Sequence, residues 1–209
     1  LKIRRIMLRK GILLCATIAL MFQPNAKADE GMWLPMLVKR LNYVDMQKAG
    51  LKLTPEEIYS VNNASLKDAI VGLGSPARNF CSGEIVSKQG LFITNHHCGF
   101  GVIQDNSTTE HNYLKDGFWA MSRDEELPNE GLTASFLVSI EDVTARVVAE
   151  LNTDMTEQER RTKIREISKT IVDEATEGTH YNARVKSFFG GNDFYIMKYE
   201  TFKDVRLVG

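Results

Sequence analysis

Two β-rich runs, Cys81-Ser82-Gly83-Glu84-Ile85-Val86 and Leu91-Phe92-Ile93-Thr94, are separated by the four residues Ser87-Lys88-Gln89-Gly90. Short runs rich in branched and aromatic residues, joined by a four-residue connection that contains glycine, predict an antiparallel hairpin. The second run leads directly into Asn95-His96-His97-Cys98-Gly99. Two of the four histidines thus sit side by side before a cysteine, at the end of a predicted strand. The chemistry of that corner is the main question the sequence poses.

Around this hairpin the chain reads as alternating helices and strands. Trp33, Leu34, Leu37, Val38, Leu41 and Val44 recur at helical spacing, and Gly50 stops the pattern near Ala49. Thr54-Pro55-Glu56-Glu57 is a helix start, with a capping hydroxyl, proline in the first turn and acids against the dipole. Residues 62–67 are turn-like, and Ser65 and Asp68 are spaced as a capping pair. Residues 69–73 predict a strand broken at Ser75-Pro76-Ala77-Arg78, residues 131–140 another, and residues 143–151 a short helix. Thr156-Glu157-Gln158-Glu159 is a capping box that opens a charged helix to about Ala175, with an apolar stripe of Ile164, Ile167, Ile171 and Ala175. Residues 181–188 alternate like a strand, Gly190-Gly191-Asn192 turns, and strands are expected again from Phe194 to Tyr199 and from Asp204 to Val208. This last pattern runs into Gly209 with no polar tail, as expected of a truncated chain.

The first 28 residues have a different character. Lys2, Arg4, Arg5, Arg9 and Lys10 precede an apolar run from Gly11 to Phe22, and Ala26-Lys27-Ala28 places small residues at −3 and −1. That is the pattern of a cleavable secretory signal, so residues 1–28 are expected to be removed and the mature protein to be periplasmic or secreted. The run is shorter than the roughly 20 residues a membrane-spanning helix needs, so no membrane span is expected after cleavage. Leu14 stands before Cys15, where a lipoprotein signal has a small residue, which disfavours lipid attachment. Export leaves Cys81 and Cys98 in an oxidising compartment. The simplest reading is one bridge closing the segment between them, contributing about 3 kcal/mol on the loop-entropy model; two free thiols are the alternative. With 26 basic and 27 acidic residues, the chain carries no electrostatic footprint of a nucleic-acid partner.

Three roles compete for the histidines. Metal binding would use His96, His97 and Cys98, but zinc sites usually spread their ligands as separated pairs, and His111 and His180 do not supply the second pair. A catalytic base needs rigid placement, which a strand end backed by a disulfide provides, and imidazole suits proton shuttling. A plain structural role is the third possibility. Spacing alone leaves all three open.

The block Phe80-Cys81-Ser82-Gly83-Glu84-Ile85-Val86 with Leu91-Phe92-Ile93-Thr94-Asn95-His96-His97-Cys98 resembles the histidine region of chymotrypsin-fold serine peptidases. More narrowly, the chain resembles the bacterial dipeptidyl-peptidases 7 and 11, serine-peptidase family 46. The matching pieces include Asp29-Glu30-Gly31-Met32-Trp33, Ser65-Leu66-Lys67-Asp68-Ala69 and Thr94-Asn95-His96-His97-Cys98-Gly99. Ser107-Thr108, Glu110-His111-Asn112-Tyr113-Leu114, Gly117-Phe118, Glu126-Leu127-Pro128 and Phe202-Lys203-Asp204-Val205-Arg206-Leu207-Val208 continue the match. The resemblance implies a mainly β fold with added helices: residues 29–209 would be the N-terminal β-barrel portion of a chymotrypsin-like double β-barrel, incomplete in this chain. It implies an exported enzyme that needs no cofactor or metal and removes dipeptides from the free N-terminus of oligopeptides, with a homodimeric full-length form. His97 would be the general base of a Ser-His-Asp triad and Cys81–Cys98 the disulfide, while the triad serine and aspartate would lie beyond Gly209. His96 and His111 receive no chemical role. Asp142, in Ile140-Glu141-Asp142-Val143, is expected to end a strand or cap a helix. The fragment by itself is then expected to be inactive; the alternative is a short peptide-binding periplasmic protein that does not cleave.

Overall fold

Ser87 and Gly90 reverse the chain at the hairpin. The Ser87 hydroxyl accepts from the backbone N–H groups of Gln89 (3.2 Å) and Leu91 (3.0 Å). Gly90 adopts φ 85°, the left-handed region that favours glycine. The computed structural model describes residues 33–75 and 78–209, so the signal expected over 1–28 lies outside the described residues. Within them, β1 (Ile70–Ser75), β2 (Arg78–Ile85), β3 (Phe92–Thr94), β4 (Leu127–Pro128), β5 (Thr133–Asp142), β6 (Asn182–Phe188), β7 (Asp193–Phe202) and β8 (Arg206–Leu207) are the strands. Six of them form one antiparallel sheet in the order β3-β2-β1-β5-β7-β6, and β4 pairs with β8. Edge strands β3 and β6 each pair with one neighbour, so the sheet is open, as expected of an incomplete barrel.

The helices are α1 (Val38–Leu41), α2 (Tyr43–Lys48), α3 (Pro55–Ile58), α4 (His96–Asn106), α5 (Tyr113–Asp116), α6 (Thr144–Val148) and α7 (Glu157–Thr176). The single helix expected up to Ala49 is divided. A 3₁₀ turn over Pro35–Leu37 leads into α1, and Asn42, at φ −126°, separates α1 from α2. Proline at position 35 cannot donate a backbone hydrogen bond, which suits the first turn and little else. The capping pair Ser65 and Asp68 forms as expected, but it opens a short 3₁₀ turn over Leu66–Ala69. No helix among the described residues is long and apolar enough to cross a membrane.

α7 follows the sequence pattern closely. The Thr156 hydroxyl accepts from the Glu159 N–H at 3.3 Å, and the Glu159 carboxylate accepts from the Thr156 N–H at 2.8 Å. The bond from the Thr156 N–H, with a second donated by the Thr156 hydroxyl to the carboxylate at 2.8 Å, holds the Glu159 carboxyl below the usual carboxylate range. A depressed folded pKa means that the box's contribution is complete above the unfolded carboxylate pKa and is lost as pH falls through the folded one. Ile167 and Ile171 of the stripe are buried with Val143, Val147, Phe194 and Ile196, and Ile164 and Ala175 pack against that cluster. Thr156→Ala is expected to lower stability by about 1 kcal/mol, the usual loss of a helix cap. Urea denaturation at neutral pH would measure it.

Candidate active site

The His97 corner is built from β2, β3 and the first turn of α4. β2 and β3 pair through Gly83↔Thr94, Glu84↔Ile93 and Ile85↔Phe92. The strands approach so closely that a Cβ on Gly83 would meet Ile93 O at 2.2 Å and the Phe92 ring at 2.6 Å. Only glycine fits there. The Thr94 hydroxyl donates to Ser82 O at 2.7 Å and closes the end of the hairpin.

The structure departs from the sequence expectation at the next residue. His96, His97 and Cys98 do not end a strand; they form the first turn of α4. β3 stops at Thr94, and Asn95 takes the extended N-cap conformation (φ −71°, ψ 146°) with its carbonyl accepting from Cys98 N at 2.9 Å. Asparagine is a favoured N-cap residue, and that is the signal by which the helix could have been found. Gly99 and Gly101 obscured it, because each glycine disfavours helix by about 1 kcal/mol relative to alanine.

Cys81 of β2 and Cys98 of α4 are bonded to each other, with Cα atoms 5.9 Å apart. Cys98 is buried, while His96 and His97 are exposed. One ring nitrogen of His97 and the two sulfurs lie within 4.8 Å of one another. The expected metal alternative of His96, His97 and Cys98 thus meets a different grouping, in which Cys81 stands in the place of His96. Its two sulfurs are joined as a disulfide, and a bonded sulfur is not the thiolate that zinc requires. His96 turns aside, its ring edge-on to Phe100 at 5.8 Å.

Among the described residues, His97 has no hydrogen bond or ion pair with a carboxylate. Asp142 stands at the end of β5 and accepts from Thr144 N at 2.8 Å, a strand-end and helix-start role. His111 closes a loop through backbone bonds: its N–H donates to the Thr108 hydroxyl (3.0 Å), and its carbonyl accepts from Thr108 N (2.9 Å). Its ring stacks on Tyr113 at 6.2 Å. The other end of α4 is tied down by Ser107, which the family match includes without a role, and by Asn106 and Asn129, which carry no sequence signal. Ser107 donates through its hydroxyl to Ile103 O (2.8 Å) and accepts from Tyr113 N (3.1 Å). Asn106 reaches Asn129 across a 2.8 Å side-chain bond.

The arrangement is an exposed imidazole at the start of a helix, secured from behind by a covalent link to a strand. Such a group can accept and return a proton without moving its support. The chain belongs to the peptidase S46 family, which it matches over residues 28–209. It is 48% identical over 203 residues to a dipeptidyl-peptidase 7 of Capnocytophaga gingivalis, covering 97% of this chain and 28% of that protein. It is 44% identical over 192 residues to an Asp/Glu-specific dipeptidyl-peptidase of Flavobacterium psychrophilum, covering 91% and 26%. Its fold matches the crystal structure of Porphyromonas endodontalis DPP11 in complex with the dipeptide Arg-Asp with a TM-score of 0.75 at 40% identity, over 87% of this chain and 26% of that one. The chain therefore spans about a quarter of the length of these relatives. The mainly antiparallel sheet with added helices agrees with that likeness.

Proposed function

We propose that this chain is the histidine-bearing N-terminal part of an exported serine dipeptidyl-peptidase that releases dipeptides from the free N-terminus of oligopeptides. The observation that carries this reading is His97. It is an exposed imidazole on the first turn of α4, fixed by the Cys81–Cys98 bridge, in a chain of the S46 family. His97 takes the proton from the attacking serine hydroxyl and returns it to the leaving amine, while an aspartate orients the ring. The serine and the aspartate are contributed from beyond Gly209. Export to the periplasm or the medium follows from the pattern of residues 1–28 and fits a disulfide beside the base.

The test compares this chain with the full-length polypeptide on chromogenic dipeptide substrates, each with a free or an acetylated N-terminus. The full-length form is expected to cleave the free substrates and to leave the acetylated ones intact, and this chain is expected to cleave neither. Equal cleavage of both substrates would refute the exopeptidase reading. Cleavage by the chain alone would refute the division of the triad.

A further inference from the structure

We infer that Asn129 is a positioning residue for His97, acting through Asn106 at the far end of α4; this rests on the reading of His97 as the base. Asn106 Nδ2 donates to Asn129 Oδ1 at 2.8 Å and to Val102 O, inside its own helix, at 2.9 Å. Asn129 uses its remaining polar groups to brace its own segment and to join it to one distant segment at Val205. Its Nδ2 donates to Leu127 O and Val205 O, each at 3.2 Å, and its backbone N–H donates to Val205 O at 3.1 Å. Its carbonyl accepts from Leu132 N at 3.2 Å. Both asparagines are half-buried. The helix that carries His97 is thereby referenced to the β4–β8 pair, in which Leu127 faces Leu207 and Pro128 faces Arg206.

A rigid rod needs more than one fixed point. By itself the disulfide fixes Cys98 and leaves the far end of α4 free to swing about that pivot, and the Ser107–Tyr113 bond ties that end only to the short helix α5 that follows it. Asn106 is eight residues further on, about 12 Å along the axis at the helical rise, and a bond there removes the swing. The stakes are high for a proton-transfer group, because a displacement of about 1 Å at the reacting centre can lower a rate about 100-fold. The pair Asn106–Asn129 thus sets the direction of the helix, and the Cys81–Cys98 bridge sets its position.

The experiment is steady-state kinetics of the full-length polypeptide with Asn106→Ala, Asn129→Ala and the double variant, alongside His97→Ala. Asn106→Ala leaves the bonds of Asn129 to Val205 and Leu127 in place, so it guards against a variant that merely fails to fold. We expect Asn106→Ala to lower kcat about tenfold with KM changed less than about twofold. The double variant should lose no more than the worse single one, because both substitutions break the same link. An unchanged kcat in Asn106→Ala, with faster amide exchange along α4, would show that the link is structural only and overturn the positioning role. Full activity in His97→Ala would instead overturn the reading of the base on which the inference rests.

Discussion

His97→Ala in the full-length polypeptide is expected to lower kcat for dipeptide release by at least about a thousandfold, the scale on which removal of a triad histidine acts. The reason lies in the proton inventory. A serine hydroxyl stays protonated at neutral pH, and alanine leaves no group to receive its proton as the carbonyl is attacked. Substrate binding does not depend on that transfer, so KM should change far less than kcat. His96→Ala supplies the control. Its ring rests edge-on against Phe100 and away from the disulfide, so its removal should change kcat only a few-fold. Rates for the two variants, measured side by side, decide which histidine is the base. Comparable losses in both would reject the assignment to His97.

Phe194→Ala is expected to destabilise the chain by about 3–5 kcal/mol, the usual range for emptying a buried aromatic site. At this size such a loss lowers the melting temperature by about 10 °C. Phe194 is 1% exposed and belongs to the cluster with Val143, Val147, Ile167, Ile171 and Ile196. That cluster joins α6 and α7 to the sheet. The backbone of Phe194 also serves as a junction, accepting from Val143 N at 2.9 Å and donating to the Thr144 hydroxyl at 2.9 Å. Those bonds survive the substitution, so the expected loss is one of packing alone. Phe194→Leu keeps most of the volume and should cost much less. Urea denaturation of both variants would check this, and equal losses would show that the cluster does not depend on filled volume.

Much of this architecture could be read from local chemistry. The hairpin over Cys81–Thr94 came from strand formers around a glycine-containing connection, and α7 from the Thr156/Glu159 box with isoleucines at helical spacing. Where local signals conflicted, tertiary bonds decided. α4 was hidden because two glycines weaken it and because the apolar run before Asn95 suggests a strand that continues. A disulfide at one end and the Asn106–Asn129 bond at the other hold it as a helix regardless. β4 was hidden for a different reason. It is two residues long, includes a proline and exists only through its pairing with β8 far along the chain. At the site, the Cys81–Cys98 bridge is the simplest reading of two cysteines left in an oxidising compartment, whereas His97 is singled out only through resemblance to a family, since spacing alone leaves three roles open for the histidines. Asn129 carried no sequence signal of any kind, because its importance comes from three segments meeting around one amide.

The sheet also implies an order of events in time. β1, β2 and β3 follow one another in the chain, and their pairings close short loops, whereas β1 meets β5 only when Val71 finds Phe136. Contacts of long reach form late, because the intervening chain must first give up its freedom. Cys81 and Cys98 are 17 residues apart and both belong to the early piece. Their oxidation can therefore be finished while three of the six strands are still to be added, and the later strands arrive at a corner whose geometry is already sealed.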